Sequence, residues 1–214
     1  GPNAVKYMQQ LTDMDITNLK YYTFTKGKFA GVDNVIVSAT GYTGAGGVEI
    51  YFEDKDGNAE KIWDEIFRVG GPNGMKPIGL AARDTLRLEM GFCLYGNDID
   101  DTTSPLEAGL GWITKFTKDF TARNIIEKQK ADGVSRKLVG IEMIDKGIPR
   151  HHYKLQNAAG EEIGYVTSGT QAPSLGKAIG MAYVRKDLAA EGTEVMVMMR
   201  DKALKAKVVK MTFA

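Results

Sequence analysis

Apolar side chains recur along this chain with two periods, and the dominant period changes near Gly133. Before that residue, apolar positions three and four apart predict helices, and alternating positions predict strands. The predicted helices cover residues 4–11, 58–70, 78–91 and 121–133, and the predicted strands cover residues 19–29, 33–40 and 48–53. Strands followed by helices favour an α+β arrangement over a parallel βαβ series.

Glycine and capping signals suggest where these elements turn or end. The first two strands are expected to turn near Lys26 and Gly27, Thr121 is expected to cap the last helix, and Gly133 is expected to end it. After Ser135 the chain consists of short β-rich stretches separated by Gly, Asn and Asp turns, a pattern typical of an antiparallel barrel or sandwich. We therefore predict an α/β region over residues 1–133 and a β domain over residues 134–214.

Composition narrows the class of protein without naming it. The chain has 214 residues, 43% of them hydrophobic and 26% charged, and a net charge of +1, which suggests a globular protein and no nucleic-acid partner. A single cysteine rules out an internal disulfide framework, and two histidines make a structural zinc site a poor fit. No apolar run approaches the roughly 20 residues of a membrane span, so no membrane partner is expected.

The stretch GYTGAGGVEIYFE, residues 41–53, is the most informative local feature. It places four glycines within seven residues, and Glu49 follows just inside the next strand. Glycines at this density indicate a sharp turn or the close approach of another molecule to the backbone. Glu49 is then either a solvated strand carboxylate or an acceptor of paired N–H donors from a flat heterocycle.

Three further residues have both a structural and a functional interpretation. Arg83 and Arg87 lie four residues apart on one predicted helix, so they share a face. They either form surface ion pairs, which the spacing alone favours, or form a fork for a carboxylate. Trp112 is either a core or lid aromatic or a cover for a ring-shaped ligand. Glu49, Arg83 and Trp112 together suggest a pocket but name no reaction.

The remaining reactive side chains give no catalytic signature. His151 and His152 have no serine or cysteine partner spaced for a triad, so we expect two exposed loop histidines. Cys93 lies in the apolar stretch GFCLYG and is expected to be buried. The glycine cluster at residues 70–74 lacks the Gly-Lys-Ser/Thr ending of a phosphate loop, and no dinucleotide fingerprint follows a strand.

Three stretches together resemble the aminomethyltransferase family, the T-proteins of the glycine cleavage system: GYTGAGGVEIYFE, GLAARDTLRLEMGFCLYGNDIDDTTSPLEAGLGWITK and VTSGTQAPSLGKAIGMAYV. The resemblance extends over essentially the whole chain. It implies an α+β fold, here incomplete ferredoxin-like α/β layers followed by a C-terminal antiparallel β-barrel. It also implies methylene transfer from the aminomethyl-lipoyl arm of H-protein to tetrahydrofolate with release of ammonia, in the bacterial cytosol or the mitochondrial matrix.

The resemblance assigns folate contacts to positions that match the family's motifs. Tyr42 and Glu49 match its Gly-Tyr-Thr-Gly…Val-Glu motif, Arg83 matches its Ala-Arg-Asp motif, and Trp112 follows its Pro-x-Glu block. Glu49 would accept the adjacent ring N–H and amine of the pterin, and Arg83 would bind the carboxylates of the folate tail. Tyr42 and Trp112 would offer ring faces to the ligand.

The chain departs from the family pattern in three places. Ala45 and Gly46 stand where the family usually has an acidic pair, and Phe92 stands where some members have Tyr. The family's N-terminal region, which carries its proposed catalytic aspartate, has no counterpart, so we expect an inactive fragment with no catalytic residue of its own.

Two alternatives remain open at this point. One is a non-catalytic folate-binding protein of the same fold, although the reactive-cysteine stretch of the iron–sulfur assembly relatives is absent. The other is the folate domain of a dimethylglycine or sarcosine dehydrogenase.

Overall fold

A computed structural model describes all residues from 1 to 214. The chain divides into two compact units, Gly1–Arg83 and Asp84–Ala214. The boundary predicted at Gly133 stays a prediction. The longest helix has 13 residues, and no helix combines the length and the apolar character that crossing a bilayer requires.

The first unit is a three-stranded antiparallel sheet with helices. In chain order its elements are α1 (Ala4–Met8) with a 3₁₀ turn (Gln9–Leu11), β1 (Phe24–Phe29), β2 (Val32–Ser38), β3 (Glu49–Tyr51), α2 (Asn58–Gly70) with a 3₁₀ turn (Gly71–Asn73), and the first turn of α3 (Leu80–Glu89). The sheet order is β1-β2-β3. Helix α2 begins and ends where the apolar period predicts.

One face of this sheet forms the core of the first unit. Phe29, Val35 and Val37 are fully buried and pack in one cluster with Ile62 and Val69 of α2. Burying side chains of this size stabilises a fold by about 1.5–3 kcal/mol each. Because successive strand residues point to opposite faces, the residues between them line the other face of the sheet.

The hairpin between β1 and β2 turns four residues later than predicted. Gly27 lies inside β1 and pairs with Val35, whereas the turn consists of Ala30 and Gly31, with φ of 50° and 75°. A two-residue hairpin of this hand needs positive φ at both central positions. Alanine carries no sequence signal for that conformation, so the prediction near Lys26 was wrong.

The second unit contains the rest of α3, helix α4 (Arg123–Asp132) and a closed six-stranded antiparallel barrel. The barrel strands are β4 (Arg136–Met143), β5 (Lys154–Gln156), β6 (Glu162–Ala172), β7 (Lys177–Arg185), β8 (Glu194–Met199) and β9 (Lys202–Val209), in the order β4-β7-β6-β5-β8-β9 with β9 returning to β4. The predicted α+β class with a C-terminal antiparallel barrel is confirmed.

Helix α4 starts without the predicted cap. Ala122 occupies the N-cap position with φ of 63°, and no side chain bonds to the first turn, so Thr121 is not the cap. Gly133 does end the helix, since its N–H donates to the Gln129 carbonyl oxygen at 2.8 Å.

Strand β6 contains a bulge. Val166 pairs with Ala182 of β7, and Ser168 pairs with the adjacent Met181, so Thr167 is an extra residue on β6. A bulge of this kind lets two consecutive side chains act on the same side of a sheet. Thr167 and Ser168 are both buried.

Candidate functional site

The glycine-rich loop borders a cavity of about 500 Å³ in the first unit. Tyr42, Glu49 and Arg83 all line it, together with Thr40, Thr43 and the segment from Ile78 to Leu80. This volume lies in the usual range of small-molecule sites, about 300–1,000 Å³. Three of the four predicted site residues therefore share one cavity.

The loop can follow this path because it is rich in glycine. Gly44, Gly46 and Gly47 have φ of 66°, 72° and 104°, which residues with a Cβ adopt only at a steric cost. The turn delivers the chain directly into β3, where Glu49 is the first residue. The two interpretations of these glycines therefore hold together, since they form the turn and also part of the cavity wall.

Glu49 lies on the sheet face opposite the core and is exposed. Its Oε2 accepts hydrogen bonds from the Thr40 hydroxyl and, at 3.2 Å, from the Tyr51 hydroxyl. Oε1 accepts no hydrogen bond from the described residues. The carboxylate is thus held by one oxygen while the other remains available to a ligand donor, so the interpretation of Glu49 as a binding group fits the geometry.

Arg83 stacks on Tyr42. The Arg83 Cζ lies 4.5 Å from the centre of the Tyr42 ring, a cation–π arrangement. A guanidinium stacked by its face keeps its N–H edges directed sideways, where they can donate to an anion. The guanidinium also covers one face of the Tyr42 ring, so in this arrangement Tyr42 orients the arginine.

Trp112 belongs to the second unit, and its side chain is 72% exposed. An indole exposed to this degree contributes little to a core, so the interpretation as a core aromatic does not hold for it. Its backbone carbonyl accepts a hydrogen bond of 2.6 Å from the Lys115 ammonium.

Arg87, one turn along α3 from Arg83, has quite different surroundings. It is 1% exposed and donates to Asp98 at 2.6 Å, to Asp84 at 2.8 Å and to the Ser168 hydroxyl at 2.8 Å. Burial acts to lower the pKa of Arg87, but the charges of Asp98 and Asp84 outweigh it and raise that pKa. The two arginines therefore form neither a joint fork nor a shared solvated face.

Asp98 is the centre of this buried polar cluster. It is 0% exposed, and its carboxylate accepts bonds from Arg87, from the Leu94 backbone N–H at 2.8 Å and from the Thr167 hydroxyl. The Tyr183 hydroxyl donates to the Asp98 carbonyl oxygen at 3.0 Å. Every carboxylate oxygen of Asp98 thus has a protein donor, which marks the cluster as structural.

The cysteine and the histidines are not arranged for catalysis. Burial, aided by the Asp98 charge, raises the pKa of the half-buried Cys93 thiol to about 11, so it stays protonated at neutral pH. His152 is exposed, whereas His151 is half-buried and its Nδ1 contacts the Thr167 carbonyl oxygen. His151 therefore differs from the expected exposed loop residue.

Sequence reasoning missed two residues of the cavity region and the buried cluster. The hydroxyls of Thr40 and Tyr51 bond to Glu49, and the alternation through residues 38–40 and 49–51 was a usable signal for their shared sheet face. Arg87 pairs with Asp98 and also donates to Ser168, which lies 81 residues away in the chain, a distance that no local pattern spans.

Two family models match the chain. Residues 1–118 match the model described as the GCVT N-terminal domain, and residues 136–214 match the glycine cleavage T-protein C-terminal barrel domain. The residue predicted as a domain boundary, Gly133, lies between the two matched ranges.

Individual proteins agree with these models. The chain is 60% identical to proteins named aminomethyltransferase from Porphyromonas gingivalis and Bacteroides fragilis, and 46% identical to one from Halothermothrix orenii. Each match covers the whole chain and 59% of the relative, so the chain spans about three-fifths of the length of these curated relatives. The crystal structure of glycine cleavage system aminomethyltransferase T from Bartonella henselae superposes with a TM-score of 0.89 at 30% identity, over all of this chain and 58% of that one.

Proposed function

The chain belongs to the glycine cleavage T-protein family, and we propose that the protein transfers a methylene group from the aminomethyl-lipoyl arm of H-protein to tetrahydrofolate, with release of ammonia. The chain spans 59% of the length of its relatives. The activity is therefore proposed for the protein as its gene encodes it, and not for these 214 residues by themselves. We also propose that residues 1–133 form its folate-binding α/β region and residues 134–214 its barrel domain.

The observation that carries this proposal is the cavity beside the glycine loop. Within one cavity, Glu49 offers a carboxylate oxygen that accepts no protein hydrogen bond, and Arg83 offers a guanidinium stacked on Tyr42. A pterin carries a ring N–H beside an exocyclic amine, and the folate tail carries carboxylates. The chemistry of the two residues fits the two ends of that substrate.

Each predicted contact then has a distinct task in the proposed complex. Glu49 accepts the pterin N–H donors, Arg83 binds a tail carboxylate, and Tyr42 orients Arg83 through ring stacking. Trp112, with its exposed indole, is proposed to contribute an apolar face to the folate ring system. None of these four residues is proposed to move a proton.

The test assays the protein as its gene encodes it. It measures ammonia release from aminomethylated H-protein, with and without tetrahydrofolate. We expect ammonia release that depends on tetrahydrofolate and yields 5,10-methylenetetrahydrofolate in equal amount. Unmodified H-protein is the control for background release. Failure of the protein to release ammonia above this background, while an aminomethyltransferase relative does so under the same conditions, would refute the proposal.

No observation on the described residues favours the alternatives, a non-catalytic folate-binding protein or the folate domain of a dimethylglycine or sarcosine dehydrogenase. The same measurement separates them, since either alternative predicts tetrahydrofolate binding without ammonia release from aminomethylated H-protein. The reported relatives are bacterial, and a location in the bacterial cytosol or mitochondrial matrix stays a prediction.

A further inference from the structure

The hydroxyl groups around Glu49 form an ordered set of donors. Ser38 of β2 pairs directly with Glu49 of β3, and the hydroxyl of Thr40, two residues later, reaches both the Ser38 hydroxyl and the Glu49 carboxylate. Tyr51, two residues after Glu49, lies on the same side of β3 as Glu49. The alternation of strand side chains thus brings three hydroxyls to one carboxylate.

The direction of these bonds follows from the protons available. The Thr40 hydroxyl lies within bonding distance of both the Glu49 carboxylate and, at 3.1 Å, the Ser38 hydroxyl oxygen. A hydroxyl has one proton to donate, and a carboxylate is the stronger acceptor. Thr40 therefore donates to Glu49, and Ser38 donates to Thr40.

This arrangement affects the two carboxylate oxygens unequally. Oε2 accepts hydrogen bonds from the Thr40 hydroxyl and, at 3.2 Å, from the Tyr51 hydroxyl, whereas Oε1 accepts none from the protein. The last torsion of a glutamate side chain is intrinsically broad, so an untethered carboxylate samples many orientations. The hydrogen bond from Thr40 to Oε2 restricts that torsion before any ligand arrives.

We propose that Thr40 is a positioning residue, which fixes the Glu49 carboxylate so that Oε1 faces the N–H donors of the bound pterin. The inference rests on the proposed function, because it assumes that Glu49 binds the pterin. Binding then requires less loss of side-chain freedom, a saving that is worth several-fold in affinity for one rotamer-rich side chain. Thr40 itself need not touch the ligand to produce this effect.

The test is calorimetric titration of tetrahydrofolate into the protein as its gene encodes it and into five variants. Thr40→Val removes the hydroxyl at constant shape, and we expect it to weaken binding by about three- to tenfold. Thr40→Ser keeps the hydroxyl and should stay within about twofold of the original protein. Thr25→Val makes the same change in the same sheet, at a threonine whose side chain forms no hydrogen bond, and should not alter binding.

A double-mutant cycle distinguishes positioning from a general structural effect. If Thr40 acts through Glu49, then Thr40→Val should have little further effect in a Glu49→Ala background, in which residue 49 has no side-chain oxygen for Thr40 to hold. A loss that persists in that background, or equal affinities of Thr40→Val and the original protein, would overturn the inference while leaving the proposed function intact. Thr40→Ala takes the place of the valine variant in the same cycle if the latter does not fold.

A third outcome bears on both claims. If the original protein does not bind tetrahydrofolate at all, the proposed function and the role of Thr40 fail together. Circular dichroism of each variant shows whether a changed affinity comes from a changed fold.

Discussion

Glu49 in the first unit and Asp98 in the second are both carboxylates held by hydroxyl donors, yet their surroundings have opposite consequences. Asp98 is fully buried, paired with Arg87 and bonded at both oxygens. Glu49 is exposed and bonded at Oε2 only. A carboxylate with every oxygen satisfied stabilises the fold, whereas one with a remaining oxygen can bind a ligand.

The arginines repeat this contrast on a single helix. Arg87 is saturated by buried partners, while Arg83 is exposed and stacked on one ring. Both are arginines on the same helix, so their residue type does not distinguish them. The number of protein partners separates Arg87, the structural arginine, from Arg83, the candidate binding residue. The following predictions test that separation.

The largest effect is expected when the 214-residue chain is assayed alone for methylene transfer. Asp98 is bonded at both carboxylate oxygens and Glu49 is proposed to bind the pterin, so neither carboxylate is available as the acid–base or electrostatic group that the proposed reaction needs. We expect turnover at least about a thousandfold below that of the full-length Porphyromonas gingivalis relative, because catalysis depends on the correct placement of all reacting groups. Comparable ammonia release by the chain would show that one of these carboxylates has been given the wrong role.

Asp98→Asn should destabilise the second unit by about 3–5 kcal/mol, since it removes the buried ion-pair partner of Arg87 and leaves that buried charge with only the exposed Asp84. Urea unfolding followed by circular dichroism measures the change. Asp201→Asn, at an exposed carboxylate in the turn between β8 and β9 of the same unit, is the matched control and should leave the unfolding midpoint unchanged. A midpoint for Asp98→Asn equal to that of the control would remove the distinction between the two kinds of carboxylate.

Glu49→Gln should weaken tetrahydrofolate binding about tenfold or more, because the amide loses the charge and one acceptor. The same substitution should leave the unfolding midpoint unchanged, in contrast to Asp98→Asn. Calorimetric titration and urea unfolding of one preparation give both values. Equal affinities for the variant and the original protein would exclude Glu49 from the site.

The smallest effect is expected for Arg83→Gln, which should reduce tetrahydrofolate affinity only a few-fold, since exposed ion pairs contribute little. A tetrahydropterin without the glutamate tail should bind the variant and the original protein equally, because Arg83 is proposed to contact the tail. A loss of affinity for both ligands would assign Arg83 to the ring instead.

Local patterns predicted the elements better than they predicted the partners of charged residues. The helical period gave α2 its correct bounds, and alternation placed Glu49 on the non-core face of β3. The hairpin turn was misplaced because Ala30 adopts a left-handed conformation that its residue type does not signal. The environment of Arg87 was missed because burial depends on Asp98 and on a barrel strand that is distant in sequence.

The bulge in β6 has a consequence for how relatives of this protein can diverge. Thr167 and Ser168 reach the same ion pair only because one extra residue is inserted between two regular stretches of pairing. Other hydrogen-bonding side chains can replace either residue, but deletion of one residue at the bulge would restore regular pairing and leave a single hydroxyl to reach the ion pair. Among relatives, the side chains at these two positions can therefore vary more readily than the number of residues in the strand. Insertions or deletions should fall in the loops that flank residues 162–172 rather than within them.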